Sequence, residues 1–357
     1  MGIKSLNNFL RKKCPHVFID TSLKDLQYKK IAIDISLYMC KYKVVCGDKW
    51  IYAFLNLIRC LRRNNIHCVF IYDNGAPPEK KIEKENRQKH KEKLEDKVFK
   101  LEELMNTYHT TGEIHVDLLE LSKKIGGTGK RLLSNKTIPF NPTLIEEHIR
   151  KTQNYIIKIT PKDIADSKEL FDILQVPYFN AALEAETTCS ELCINGLVDA
   201  VLSEDTDVLA YGTPIFLSKI DTKNDTCKLI SHPHMLESLD LDKSQFTEFC
   251  IMCGTDYNKN IPKVGSQTAY KLIKENKNIE NIGKITKKNG DKYDISILNR
   301  DSSYRLFTKY KKSGIDKVPF CGKPNFEKLE EFLVKRNIFH NLDSMKDDFI
   351  SNDIKFS

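Results

Sequence analysis

Two short apolar runs, Lys30-Ile31-Ala32-Ile33-Asp34 and Ile66-His67-Cys68-Val69-Phe70-Ile71-Tyr72-Asp73, each close on an aspartate. Both are short, uninterrupted and apolar, so they read as buried strands. Between them, residues 48–63 place Ile51, Phe54, Leu55, Ile58 and Leu61 at helical spacing and end on Arg62-Arg63. Strand, amphipathic helix and strand with short connections form a crossover unit, and a crossover implies a parallel sheet. The fold class that follows is α/β: a mixed, mostly parallel central sheet flanked by helices. In such sheets ligands gather beyond the carboxyl ends of the strands. Asp34 and Asp73 both lie there, where a carboxylate closing an apolar strand is poorly solvated.

Asn74-Gly75-Ala76-Pro77-Pro78 stops the second strand. Residues 79–100 then hold nine Lys or Arg and six Asp or Glu with little apolar face. A helix without an apolar stripe is expected to bridge solvent or to meet a charged partner. Residues 106–143 are less regular. Within them Gly126-Gly127-Thr128-Gly129-Lys130 fails as a phosphate loop, because Lys124 stands where its first Gly is needed and Arg131 replaces Ser or Thr. A flexible insertion is the expected reading. Thr160 and Pro161 start a helix to about Leu174. Further strands are expected at Val176–Phe179, Val198–Leu202 and Pro214–Leu217, with helices at 183–194, 243–253 and 266–275. The tail from about 341 is polar and expected to fray. The division is 1–105, an N-terminal region with the start of a charged helix; 106–145, an insertion; 146–257, an internal region; 258–340, helices; and 341–357, a tail.

No run of about 18 apolar residues exists, so no membrane span is expected. The start Met1-Gly2-Ile3-Lys4-Ser5-Leu6 is followed by no apolar signal region, and secretion is not expected. The net charge of +8, from 57 Lys and Arg against 49 Asp and Glu, is compatible with a polyanionic partner. The 11 Cys are odd in number and scattered, several in apolar segments, as expected of small buried hydrophobes in a reducing compartment. Cys250-Ile251-Met252-Cys253 has no second pair to complete a zinc site.

The acids carry more information. Glu184 and Glu186 are two apart near a helix start. Asp205 and Asp207 are two apart just after a strand, and Asp256 sits in a Gly-Thr-Asp-Tyr turn. With Asp34 and Asp73 they make seven. Taken singly, each reads as a solvated or capping acid. Brought together, carboxylates raise one another's pKa and are costly unless cations neutralise them. All-oxygen ligation suits Mg²⁺ or Mn²⁺, and two such ions about 4 Å apart clamp the attacking and leaving oxygens of a phosphodiester.

Together these segments resemble the flap-endonuclease/XPG family of structure-specific 5′ nucleases, from Met1 to about Lys274 and more weakly to Arg336. The carriers are Met1–Leu6, Ile31–Asp34, Val69–Pro78, Leu183–Glu186, Ser203–Leu209 and Cys253–Tyr257, in the family's order. The resemblance implies a PIN-like 5′-nuclease fold with a helical arch and a helix–two-turn–helix. It implies two Mg²⁺ ions, replaceable by Mn²⁺, on Asp34, Asp73, Glu184, Glu186, Asp205, Asp207 and Asp256. Asp34 and Asp205 join the catalytic set with two arch cations that contact the scissile phosphate. Lys81 and Arg87 lie closest to those places, and Lys80 competes with Lys81. Gly2 and Tyr38 are further nucleic-acid contacts. Ile261-Pro262-Lys263-Val264-Gly265-Ser266 resembles the turn that holds a duplex backbone with its amides and a K⁺ ion, with Lys263, Val264 and Gly265 as contacts. Lys271 and Lys274 extend the basic surface.

This chain departs from the family in four ways. Lys263 stands where Gly is usual. Cys40 stands where a base-stacking Tyr is usual, flanked by Tyr38 and Tyr42; an aromatic at 38 is closer to the junction-resolvase and XPG branches. No sliding-clamp motif follows Leu342. The stretch between Asp73 and Glu184 is long. The function implied is a metal-dependent 5′ flap endonuclease with 5′–3′ exonuclease activity, acting on flapped or branched DNA in replication or repair as a monomer. A junction-resolvase-like or RNA-degrading relative is the first alternative, and a non-catalytic DNA-binding scaffold the second. An intracellular compartment is expected: the nucleus for a cellular chain or the cytoplasm for a viral one.

Overall fold

The computed structural model describes residues 2–126, 140–156, 158–286, 290–338 and 341–349. Seven strands form one sheet: β1 (Ile19–Ser22), β2 (Lys30–Asp34), β3 (His67–Tyr72), β4 (Tyr178–Asn180), β5 (Ala200–Leu202), β6 (Ile215–Asp221) and β7 (Thr226–Ser231). Their order is β1-β7-β6-β5-β2-β3-β4. The five strands from β6 to β4 run parallel, while β7 pairs antiparallel with both β6 and β1. The parallel part follows from helical crossovers. The antiparallel edge follows from a tight turn, in which Asp221 Oδ1 accepts the N–H groups of Lys223 and Asn224.

Alternation along the central strands divides the core. Ala32, Val69, Ile71 and Val201 face one layer, which includes Phe9, Cys189, Phe246 and Phe249. Ile31, Ile33, Cys68, Phe70 and Leu202 face the other, with Phe54, Ile58, Leu61 and Phe171. The helices Ile35–Cys46 and Trp50–Arg63 share the β2–β3 crossover. The helix Pro161–Leu174 starts with a capping box in which Thr160 and Asp163 exchange hydrogen bonds. Cys250 and Cys253 are buried in the first layer as apolar residues.

Three expectations are corrected. The charged stretch is one helix, Lys81–Thr111, so the expected boundary at 105/106 falls inside a continuous element. Its first half is solvated as read, but its second half buries Val98, Leu101 and Met105 against Leu118, Ile145 and Ile149. That apolar stripe begins only where the charge run ends. The part of the neighbouring stretch that is described is helical, with helices Val116–Gly126 and Pro142–Asn154; residues 127–139, with the remainder of the Gly126–Lys130 motif, lie outside the described residues. The tail packs rather than frays as far as Phe349. Met345 and Phe349 are buried, and Asp348 Oδ2 accepts from Arg59 Nε at 2.6 Å. Residues 350–357 lie outside the described part. No helix among the described residues is long and apolar enough to cross a membrane.

Candidate active site

β5, β2 and β3 are neighbours, so the residues that follow them stand side by side. Asp34 ends β2 and caps the next helix, its Oδ1 accepting the N–H groups of Ser36 at 2.8 Å and Leu37 at 3.3 Å. Asp73 follows β3, and its Oδ1 accepts the Ala185 N–H at 2.7 Å. That bond draws in the start of helix Ala185–Ile194, with Glu184 just before it and Glu186 in its first turn. After β5, Ser203 Oγ accepts the Asp205 N–H at 3.0 Å and Asp205 Oδ1 accepts the Asp207 N–H at 2.9 Å. Two tight turns thus fix Asp205 and Asp207 just beyond the strand. Asp256 arrives from the turn after helix Lys243–Cys253, where Gly254 takes φ +90° and packs against Asn260.

Six of the seven acids line one cleft of about 380 Å³, together with Lys80, Lys84 and Arg87. Asp207, just after Asp205 in the chain, is 1% exposed, and neither of its carboxylate oxygens has a hydrogen-bond partner among the described residues. Burial pushes the Asp34 carboxyl up to about 8, with Asp73 adding to the effect. Burial also raises Glu186, helped by Asp205 and Asp34, and raises Asp207, helped by Asp205 and Asp256. Asp205 is raised by burial against the pull of the Asp207 N–H. Among the described residues, no three His, Cys, Asp or Glu side chains already stand as a ligand set for one ion. Cations from the chain itself stand among them instead.

Lys80 Nζ lies 2.5 Å from Glu184 Oε1 and 3.1 Å from Asp256 Oδ2. Burial opposes its charge, but Glu186, Glu184 and Asp256 outweigh burial and hold the ammonium above its ordinary range. Arg87 Nη2 donates to Asp256 Oδ2 at 2.7 Å. Lys81 points elsewhere: its side chain is 79% exposed and its nearest acid is Glu85. Of the two candidates, the structure therefore puts Lys80 at the acids. Lys84 was missed, although 80, 84 and 87 share one helical face and that spacing could have found it. Tyr257 was missed as well. Its hydroxyl donates to Glu184 Oε2 at 2.7 Å and pairs with the Tyr211 hydroxyl at 2.7 Å. Gly2, at φ +84°, abuts Asp205 so closely that a Cβ there would come within 2.0 Å of Asp205 Oδ1.

The expected nucleic-acid contacts divide. Tyr38 is wholly buried beside Tyr42, so its ring offers no face to a base; Leu37 and Cys40 line the cleft from the same helix. Helical rotation sets this difference, since residue 38 turns into the core. Lys263 is exposed and left-handed at φ +65°, and Gly265 is exposed at the start of helix Ser266–Asn276. Val264 is buried and its N–H already donates to Ile261 O, so neither its side chain nor its amide is free for a phosphate. Lys271 is exposed, whereas Lys274 pairs with Asp240 at 2.9 Å.

The chain matches the XPG N-terminal domain over residues 1–94 and the XPG I-region over 175–256. It is 32% identical to the probable RAD2-like endonuclease 369L of Invertebrate iridescent virus 6, over all of this chain and 93% of that protein. It is 30% identical to flap endonuclease 1 of Cryptosporidium muris, over 95% of this chain and 70% of that protein. Among solved structures, the catalytic core of Rad2 in complex with DNA substrate aligns at a TM-score of 0.67 and 18% identity, covering 98% of this chain and 99% of that one. The sheet order, the cleft at its carboxyl edge and an end-to-end relative agree: the chain belongs to the XPG/RAD2 family and is a structure-specific nuclease.

Proposed function

We propose that this nuclease is a 5′ flap endonuclease that cuts branched DNA with two Mg²⁺ ions, accepts Mn²⁺, and also trims 5′ ends. The observation that carries the reading is Asp207, a nearly inaccessible carboxylate with two unpartnered oxygens beside a cleft lined by six more acids. Such a group is costly without a cation, and an all-oxygen set fits hard divalent ions. Asp34, Asp73, Glu184, Glu186, Asp205, Asp207 and Asp256 would hold them. When bound, such ions supply Lewis-acid stabilisation of the attacking and leaving oxygens.

The chain's own groups do the rest. Lys80 and Arg87 stand where a scissile phosphate meets the acids and can exchange carboxylate for phosphate oxygens. Tyr257 orients Glu184, and the close approach of Gly2 confines Asp205. Lys263, Gly265 and Lys271 offer a duplex-facing surface, and a K⁺ ion at the 261–266 turn belongs to the same reading. The relatives' names as flap endonucleases and the DNA bound in the Rad2 structure support DNA as the substrate.

Side-by-side cleavage of a 5′ flap, a four-way junction and single-stranded RNA, with Mg²⁺ and with EDTA, tests this. Metal-dependent cutting of the flap is expected to lead. Faster cutting of the junction or the RNA overturns the flap assignment.

A further inference from the structure

Half of the chain's net charge of +8 sits in thirteen consecutive residues. Residues 305–317 hold Arg305, Lys309, Lys311, Lys312 and Lys317 against a single acid, Asp316. Lys309, Lys311 and Lys312 are exposed, and none of the three is paired with a carboxylate among the described residues. Tyr310 interleaves them, with Lys312 Nζ 4.8 Å from its ring centre. The tyrosine itself leans edge-on against Tyr211.

Two contacts tie this segment to the catalytic cleft. A cavity of about 90 Å³ is lined by Arg305, Lys309 and Lys311 together with Glu184 and Tyr257, so Glu184 borders both hollows. The helix Arg300–Thr308 also clasps the base of the charged helix. Ser302 Oγ donates to Glu79 Oε1 at 2.8 Å, and Arg305 reaches the same oxygen at 3.4 Å. Glu79 is next to Lys80. The helix that carries Arg305 thus touches the base of the helix that carries Lys80 and Arg87, and the exposed Lys309, Lys311 and Lys312 follow it in the chain.

We propose that Arg305, Lys309, Lys311 and Lys312 form a second nucleic-acid surface, which binds the phosphates of a single strand leaving the cleft. The proposal rests on the flap reading and adds a path that reading does not supply. A run of exposed cations suits a single strand, whose flexible backbone lets successive phosphates meet the charges. Duplex binding is assigned elsewhere, to the turn at 261–266.

The test is K309Q/K311Q/K312Q against the unaltered protein, by anisotropy in EDTA across roughly 50 to 300 mM KCl. The probes are a duplex with a 5′ flap of about 20 nucleotides, longer than a single-strand site, and the same duplex with a one-nucleotide flap. For the long flap, affinity is expected to fall about tenfold and the salt slope to flatten by about 2, near 0.7 per lost phosphate contact. For the short flap, both are expected to stay as they are. An unchanged long-flap affinity overturns the proposal, as does an equal loss on both probes, which makes the surface a duplex contact. If the unaltered protein binds neither probe, the flap reading falls and takes this surface with it.

Discussion

The Lys80 ammonium sits between Glu184 Oε1 and Asp256 Oδ2, two acids 72 residues apart in the chain, and takes the place a divalent ion would compete for. Glu184 has no oxygen to spare, since Tyr257 holds the other one. Replacing Lys80 removes a competitor from the acids and a cation from the phosphate. K80M is expected to bind Mn²⁺ about tenfold more tightly by calorimetry without DNA, or about 1.4 kcal/mol. Its cleavage is expected to be about 10²- to 10³-fold slower. Equal Mn²⁺ affinity in both proteins would refute the competition.

Asp207 lies at the opposite extreme, buried with nothing to bond. Its amide isostere keeps the shape and removes the charge. D207N is expected to be about 1–2 kcal/mol more stable in EDTA, seen as a higher Tm, and to lose at least about 10²-fold in cleavage. A less stable D207N would mean that the carboxylate has a partner in solution.

The raised acids make metal-free stability depend on pH. An acid whose pKa is higher folded than unfolded holds its proton longer in the folded state. Ionisation therefore penalises folding between the two values. For Asp34 that window runs from about 4 to about 8, and Glu186, Asp205 and Asp207 shift in the same direction. In EDTA the Tm is expected to fall as pH rises from 5 to 8. Mg²⁺ is expected to restore most of the loss, and to do so more at pH 8 than at pH 5. A Tm that climbs with pH in EDTA would contradict the burial of these groups.

Gly2 has no room for a side chain. G2A is expected to displace Asp205 and slow cleavage by about 10- to 10²-fold, in line with the sensitivity of catalysis to a misplacement of about 1 Å. Full activity in G2A would show that Asp205 does not need its present position.

Lys263 holds a left-handed backbone that glycine takes freely. K263G is expected to stabilise the protein by about 1 kcal/mol and to weaken duplex binding, with a salt slope shallower by about 1. Unchanged binding would leave the lysine without a phosphate role.

Much of this site was legible because its carriers are local. An acid closing an apolar run needs only a strand to place it, and β2 and β3 formed where Ile31–Asp34 and Val69–Asp73 predict. Glu184 and Glu186 needed only a helix start. What was not legible depended on rotation or on distance. Whether Lys80 or Lys81 meets the acids is a matter of 100° around one turn, which a one-residue slip reverses. Tyr38 carried an aromatic signal, yet the same rotation turned it inward. The strands β1 and β7 were missed because Ile19–Ser22 and Thr226–Ser231 are half-polar and gain order only by pairing, β1 with β7 and β7 with both β1 and β6. The partnership of Tyr257 with Glu184 spans 73 residues and leaves no trace in local spacing.

The sheet order carries one more consequence. The cleft draws its acids from the end of β2, the loop after β3, the start of helix Ala185–Ile194, the loop after β5 and the turn at Asp256, pieces that span 223 positions and meet only across a completed parallel core. Parallel pairing of distant segments comes late in folding, because loop closure must precede any gain from contact. A partly made chain therefore holds fragments of the centre but no working whole. The capacity to cut a phosphodiester belongs to the finished fold alone.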